Sequence, residues 1–132
     1  MDNQVIQIDS GTTTSVWMNG ELVLDSTDGD WGTPDTFWIG TYGSDADATT
    51  RYAFEGYMAD VYCIDGQALQ PTSFGTFNDD GVWVPINYTG TYGDNGFHLD
   101  FSDPSDIGED SSGNNNDFTA TGFELTDTTD PD

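Results

Sequence analysis

The sequence predicts an all-β domain, a sandwich or barrel of short strands, and three observations carry that prediction. Apolar and aromatic residues fall in short runs that alternate with polar ones, and clusters of Gly, Asp, Asn and Pro separate the runs. No window keeps a helical period beyond two turns. Eight Phe, six Tyr and four Trp supply enough ring surface for a core despite a mean hydropathy of -0.53.

The elements follow in chain order. Residues 5–8 are apolar-rich and read as a strand, and Asp9-Ser10-Gly11-Thr12 reads as a turn. Residues 15–18 and 22–24 flank Asn19-Gly20, the dipeptide favoured in two-residue hairpin loops because both positions require positive φ. In the first arm Val16 and Met18 share a face opposite Trp17; in the second, Leu22 and Leu24 are expected to share one. An acidic loop over 25–35 carries Trp31 and Pro34. Residues 36–42 read as a strand, and 43–50 as a second acidic loop. The run 53–64 is the longest extended segment, with Tyr57, Ala59, Val61 and Cys63 on one face and Met58, Asp60, Tyr62 and Ile64 on the other. Asp65-Gly66 ends it, and 67–74 has room for one helical turn. Strands over 82–86, 96–101 and 117–125 complete the set, the last two separated by a turn-rich stretch of Asp, Ser, Gly and Asn. Residues 1–125 are thus expected to form a single β-sandwich domain, and 126–132 a flexible acidic C-terminal tail.

The charge is extreme. Twenty-five acidic residues face one basic residue, Arg51, for a formal net charge of -24. Nucleic acid and anionic membrane surfaces are excluded as direct partners, because phosphate binding needs clustered Lys and Arg. No apolar stretch approaches the ~20 residues of a membrane span, so no membrane insertion is expected. No charged-then-apolar signal opens the chain. An extracellular site of action would therefore need another exit, such as assembly into a virus particle released by lysis.

The census narrows the chemistry. Cys63 is the only cysteine, which removes intrachain disulfides and Cys-pair zinc sites; within Val61-Tyr62-Cys63-Ile64 it reads as a small buried hydrophobe. His98 is the only histidine, and its alternation with Phe97 and Leu99 reads as a strand-surface position rather than a catalytic one. Asp28 and Asp30 in one acidic loop, and Asp45 and Asp47 in the other, are the candidate calcium ligands. Calcium takes about six to eight oxygens, which Asp side chains and loop carbonyls can supply. Neither loop fits the helix-loop-helix pattern, so a solvated acidic face stands beside the calcium reading, and no cofactor is required. Trp31, Tyr42, Trp83 and Tyr92 lie in or beside loops and are the candidate carbohydrate-stacking rings; capping the ends of the core is their alternative role. No Gly-x-Ser-x-Gly elbow, Glu-x-Asp-x-x-Glu strand motif or Gly-rich phosphate loop with its Lys occurs, and no enzymatic activity is expected.

Several motifs taken together resemble a known family. Ser15-Val16-Trp17-Met18-Asn19-Gly20-Glu21-Leu22-Val23, then Trp38-Ile39-Gly40, then Gly56-Tyr57-Met58-Ala59-Asp60-Val61, then Ala68-Leu69 follow the order of laminin-G/concanavalin A-like jelly rolls. More narrowly, Tyr62-Cys63-Ile64-Asp65-Gly66-Gln67, Ser73-Phe74-Gly75, Gly96-Phe97-His98-Leu99-Asp100-Phe101 and Asp110-Ser111-Ser112-Gly113-Asn114 resemble LamG-like modules of bacteriophage virion and tail-fibre proteins, marine ones especially. The likeness runs from about residue 13 to residue 123. It implies a jelly-roll β-sandwich and a non-enzymatic structural or adhesive virion role, as capsid decoration or as a head or tail fibre component touching host-surface glycan. A free-standing carbohydrate-binding module is the alternative, and a glucanase-like hydrolase the third reading. The strands that normally precede the hairpin are nearly absent, so the expected sandwich is compact or incomplete and completed by a neighbouring subunit. The expected partners are other virion subunits or further copies of this chain in a homo-oligomer.

Overall fold

The computed structural model describes residues 4–9, 13–27, 39–42 and 52–121. Their strands pair antiparallel throughout and no α-helix occurs among them, so the architecture is all-β. The sheets are small and unclosed. Strands β1 (Val5–Asp9), β2 (Thr14–Met18) and β3 (Glu21–Ser26) form a three-stranded sheet in the order β1-β2-β3. Strands β4 (Thr41–Tyr42) and β5 (Tyr52–Ala53) form a short pair. Strand β6 (Val61–Cys63) pairs with β9 (Phe97–Leu99), and β7 (Gly75–Phe77) with β8 (Trp83–Pro85).

The β2–β3 hairpin turns where the Asn-Gly signal places it. Asn19 and Gly20 have φ of 50° and 80°, and Met18 pairs with Glu21 across them. Its faces differ from expectation. The register slips between Val16 and Trp17, pairing Val16 with Leu24 and Trp17 with Leu22. One residue of β3 is thereby extra, and Leu22 and Leu24, expected on one face, lie on opposite faces.

The long run over 53–64 is not one strand. It breaks into β5 and β6 with a bend at Gly56 between them, and Asp60 has φ of 49°. A left-handed residue cannot continue a pleated strand, and Tyr57 and Met58 are left 77% and 40% exposed. Phe101, with φ of 54°, stops β9 short of the expected 96–101 in the same way. Ile39 and Gly40 form a bend, so of the expected strand 36–42 only β4 is strand among the described residues. Residues 117–121 of the expected last strand are irregular. The helical turn allowed over 67–74 is a 3-10 turn at Pro71–Ser73, opened by a proline whose fixed φ suits that place.

Strand β7 was not expected from the sequence. It is set by the turn that follows: Asn78 Oδ1 accepts from the backbone N–H of Asp80 and Val82, and Gly81 closes the loop at φ of 76°.

The core is small and aromatic. Among the described residues the buried apolar side chains are Phe74, Phe97 and Leu99, with Pro71 buried at the head of the 3-10 turn. Phe97 meets Phe118 edge-on at 4.7 Å, while Phe74 packs against Tyr88 at 5.2 Å and Tyr62 at 5.7 Å. Each such pair contributes about 0.5–1.5 kcal/mol beyond its buried area.

Candidate functional site

Trp83 ties the N-terminal sheet to the β7–β8 hairpin. Its ring is seated on two glycines: a Cβ on Gly20 or on Gly75 would come within 2.4 Å of it. Only glycine admits the indole at both places. Phe77, its cross-strand partner, meets it edge-on at 5.0 Å, and its Nε1 donates to Gln4 Oε1. Gln4 reaches further, donating from Nε2 to Phe74 O at 2.8 Å and from its backbone N–H to Asn19 Oδ1 at 2.9 Å. Beside this seat Trp17, Gln70, Pro71, Phe77 and Trp83 line an open hollow of about 280 Å³.

The same sheet carries an unfinished edge. Strand β3 has a neighbour on one side only among the described residues, and Leu22, Val23 and Leu24 are 47%, 56% and 52% exposed. Glu21 and Asp25, both exposed, bracket this apolar triplet. Trp17 Nε1 and Thr14 Oγ1 are buried in β2 without a hydrogen-bond partner among the described residues.

A second cluster surrounds His98 on β9. Its imidazole stacks on Tyr62 at 4.1 Å, 9° from parallel, with Tyr92 6.4 Å away and nearly parallel too. Nε2 lies 3.0 Å from Asp60 Oδ1, and Nδ1 lies 3.0 Å from Ser111 Oγ. Carboxylate, imidazole and hydroxyl therefore stand in the order of a catalytic triad. Their surroundings oppose that chemistry. The backbone N–H groups of Ser111 and Ser112 already serve His98 O and Asp110 Oδ1. Asp60 at the imidazole and Asp110 at the His98 backbone N–H make the surroundings acidic, whereas an oxyanion needs donors. The hydroxyl also lies 3.0 Å from His98 O, a carbonyl that competes with the imidazole for its proton. The arrangement works as a tie between β9, the segment before β6 and the 110–117 turn. Burial, then Asp60, pushes the Tyr62 phenol up; burial, then Asp65, does the same to the Cys63 thiol, which disfavours its reactive thiolate.

Asp110 organises the 110–117 turn. Only 7% exposed, it accepts from the backbone N–H of His98 and Ser112 through Oδ1, and from Asn116 N–H and the Ser112 hydroxyl through Oδ2. Burial alone would raise its carboxyl, but these hydrogen bonds prevail and hold it below the ordinary carboxylate range. Asn114 and Asn116 then clamp the neighbouring turn by donating to Gly93 O, Asp94 O and Gly96 O. The side chains of Asp110, Asn114 and Asn116 are thus spent on backbone groups of this segment and of residues 93–98. Between residues 104–107 and 117–120 lies an open polar hollow of about 480 Å³, with Asp106 and Asp117 on its wall.

Of the four rings expected to stack on sugar, Trp83 and Tyr92 are half-buried and sit in separate ring clusters: Trp83 with Phe77, Tyr92 with Tyr88 and His98. The backbone of Tyr42 lies in β4, whereas Trp31 is outside the described residues. So are Asp28, Asp30, Asp45 and Asp47, the candidate calcium ligands, and the tail over 126–132. Among the described residues no group of three or more His, Cys, Asp or Glu is placed to hold a metal ion, and no helix is long and apolar enough to cross a membrane. Sequence reasoning missed Trp17 and Phe77 beside Trp83. The Asn78-to-Gly81 turn is the signal that would have placed Phe77 opposite it. No protein-family model, curated protein or solved structure matches the chain.

Proposed function

We propose that the chain is a non-enzymatic structural or adhesive subunit of a bacteriophage particle, a compact jelly-roll module of a capsid decoration or of a head or tail fibre. The supporting observation is the apolar β3 edge: three consecutive half-exposed residues on an edge strand are a liability in a free monomer and a joint in an assembly. The motif order resembling LamG-like phage modules gives the assembly its class. An antibody against this chain tests the reading by electron microscopy of phage particles from its source. Label at regular positions on head or tail supports it. Bare particles in a lysate that contains the chain overturn it.

A second reading, a carbohydrate-binding module, rests on the hollow lined by Trp17, Phe77 and Trp83, aromatic side chains of the kind that line sugar sites. Saturable quenching of tryptophan fluorescence by glycans, abolished in Trp83→Ala, is its expected signature.

A further inference from the structure

We infer that the β3 edge takes an added strand from a different, basic protein, rather than from a second copy of this chain. The inference rests on the assembly reading and names the partner's chemistry. Three features of the edge define that chemistry. First, an open sheet edge is completed by an extended segment that supplies backbone hydrogen bonds. Second, the bulge turns Leu22 and Leu24 to opposite faces with Val23 between them, all half-exposed. An incoming strand therefore meets apolar surface above and below, and a continuous apolar run fits better than alternation. Third, Glu21 and Asp25 close the triplet at both ends.

These acids oppose self-pairing in both symmetric registers. A two-fold antiparallel pair centred on Val23 would set Glu21 directly opposite Asp25 of the second copy, twice over. A parallel in-register pair would stack each acid on itself. Cross-strand neighbours stand about 5 Å apart, inside the screening length at physiological salt. The whole molecule adds its charge of -24 on each side, and Arg51 is the only side-chain cation with which to answer it. A strand of the form basic, apolar, apolar, apolar, basic relieves both terms and fits the triplet.

A labelled peptide of sequence Arg-Val-Ile-Val-Lys, blocked at both ends, tests this by fluorescence anisotropy with the intact chain. Two companions control it: Glu-Val-Ile-Val-Glu reverses the charge, and Arg-Val-Pro-Val-Lys keeps the charge but cannot pair its backbone. Saturable binding of the first, weakened about tenfold or more by either change, is the expected result. The substitution Glu21→Lys, at an exposed position, should narrow the gap between the basic and acidic peptides. Equal binding of the proline peptide would reduce the effect to bulk charge attraction and overturn the inference. Binding of neither peptide, with a self-complex in sedimentation that Leu24→Lys dissolves, would overturn it while leaving the assembly reading intact. Peptide binding as expected, with unlabelled phage particles, would sink the virion reading and keep the strand-acceptor edge.

Discussion

A buried acid has to be answered by donors, and Asp110, 7% exposed as a residue, is answered by four. Asp110→Ala strands three backbone N–H groups, of His98, Ser112 and Asn116; at about 1–3 kcal/mol for each unmet donor, a loss of roughly 3 kcal/mol or more is expected in urea unfolding. Asp110→Asn keeps the shape and should cost less. The pH dependence follows from the direction of the shift. The folded carboxyl lies below its unfolded value of about 3.9, so the stability it provides is complete above about pH 4 and is lost as pH falls through the lower, folded value. Asp100, held down chiefly by the backbone N–H of Ser102, carries the same sign. The urea midpoint of the parent chain should therefore drop steeply below pH 4, and more shallowly in Asp110→Asn; parallel curves would show that Asp110 is not the group responsible. The sequence marks 110–117 as a turn, through its Asp, Ser and Asn content. It does not mark which acid is the hub, because that depends on strand β9 lying against it.

The β2–β3 hairpin is the element most fully written in the sequence, since Asn19-Gly20 encodes its turn within the turn itself. Yet Gly20 has a second duty, invisible locally, beneath the Trp83 ring. Gly20→Ala should cost about 1–3 kcal/mol, combining the positive φ with a Cβ thrust into the indole, and should shift the tryptophan emission as the ring is displaced. A melting temperature within a degree or so of the parent would contradict that seat. Elements set from a distance were illegible. Asp60 abandons the extended conformation where its carboxylate meets His98, a partner 38 residues away, and alternation of apolar residues gives no hint of it. Strand β7 is the reverse case: it begins at a glycine and carries two exposed residues, so it shows no apolar pattern, and the Asn78-to-Gly81 turn that folds it onto β8 is its local signal. The candidate site divides in the same way. Trp83 and Tyr92 were identifiable as rings near loops, but the partners that fix them, Gly20 and Phe77 for one and His98 for the other, come from other elements.

At the scale of the molecule the charge governs behaviour. With -24 spread over a chain with a small aromatic core, self-repulsion lowers stability in dilute buffer. At seawater ionic strength the screening length shrinks to ~4–5 Å. The melting temperature should accordingly rise by several degrees between dilute buffer and seawater salt; a flat profile would show that self-repulsion does not limit the stability of the fold. One feature of the architecture also bears on synthesis. Gln4 joins β1 to Phe74 O and Trp83, partners 70 and 79 positions downstream. At about 5–20 residues per second a ribosome needs roughly 4–16 s to deliver them after Gln4 has emerged. Through that interval the first hairpin waits undocked, with Leu22, Val23 and Leu24 open to every other nascent chain. The acids that bracket the triplet then act as gatekeepers during translation, protecting the edge before it has a partner.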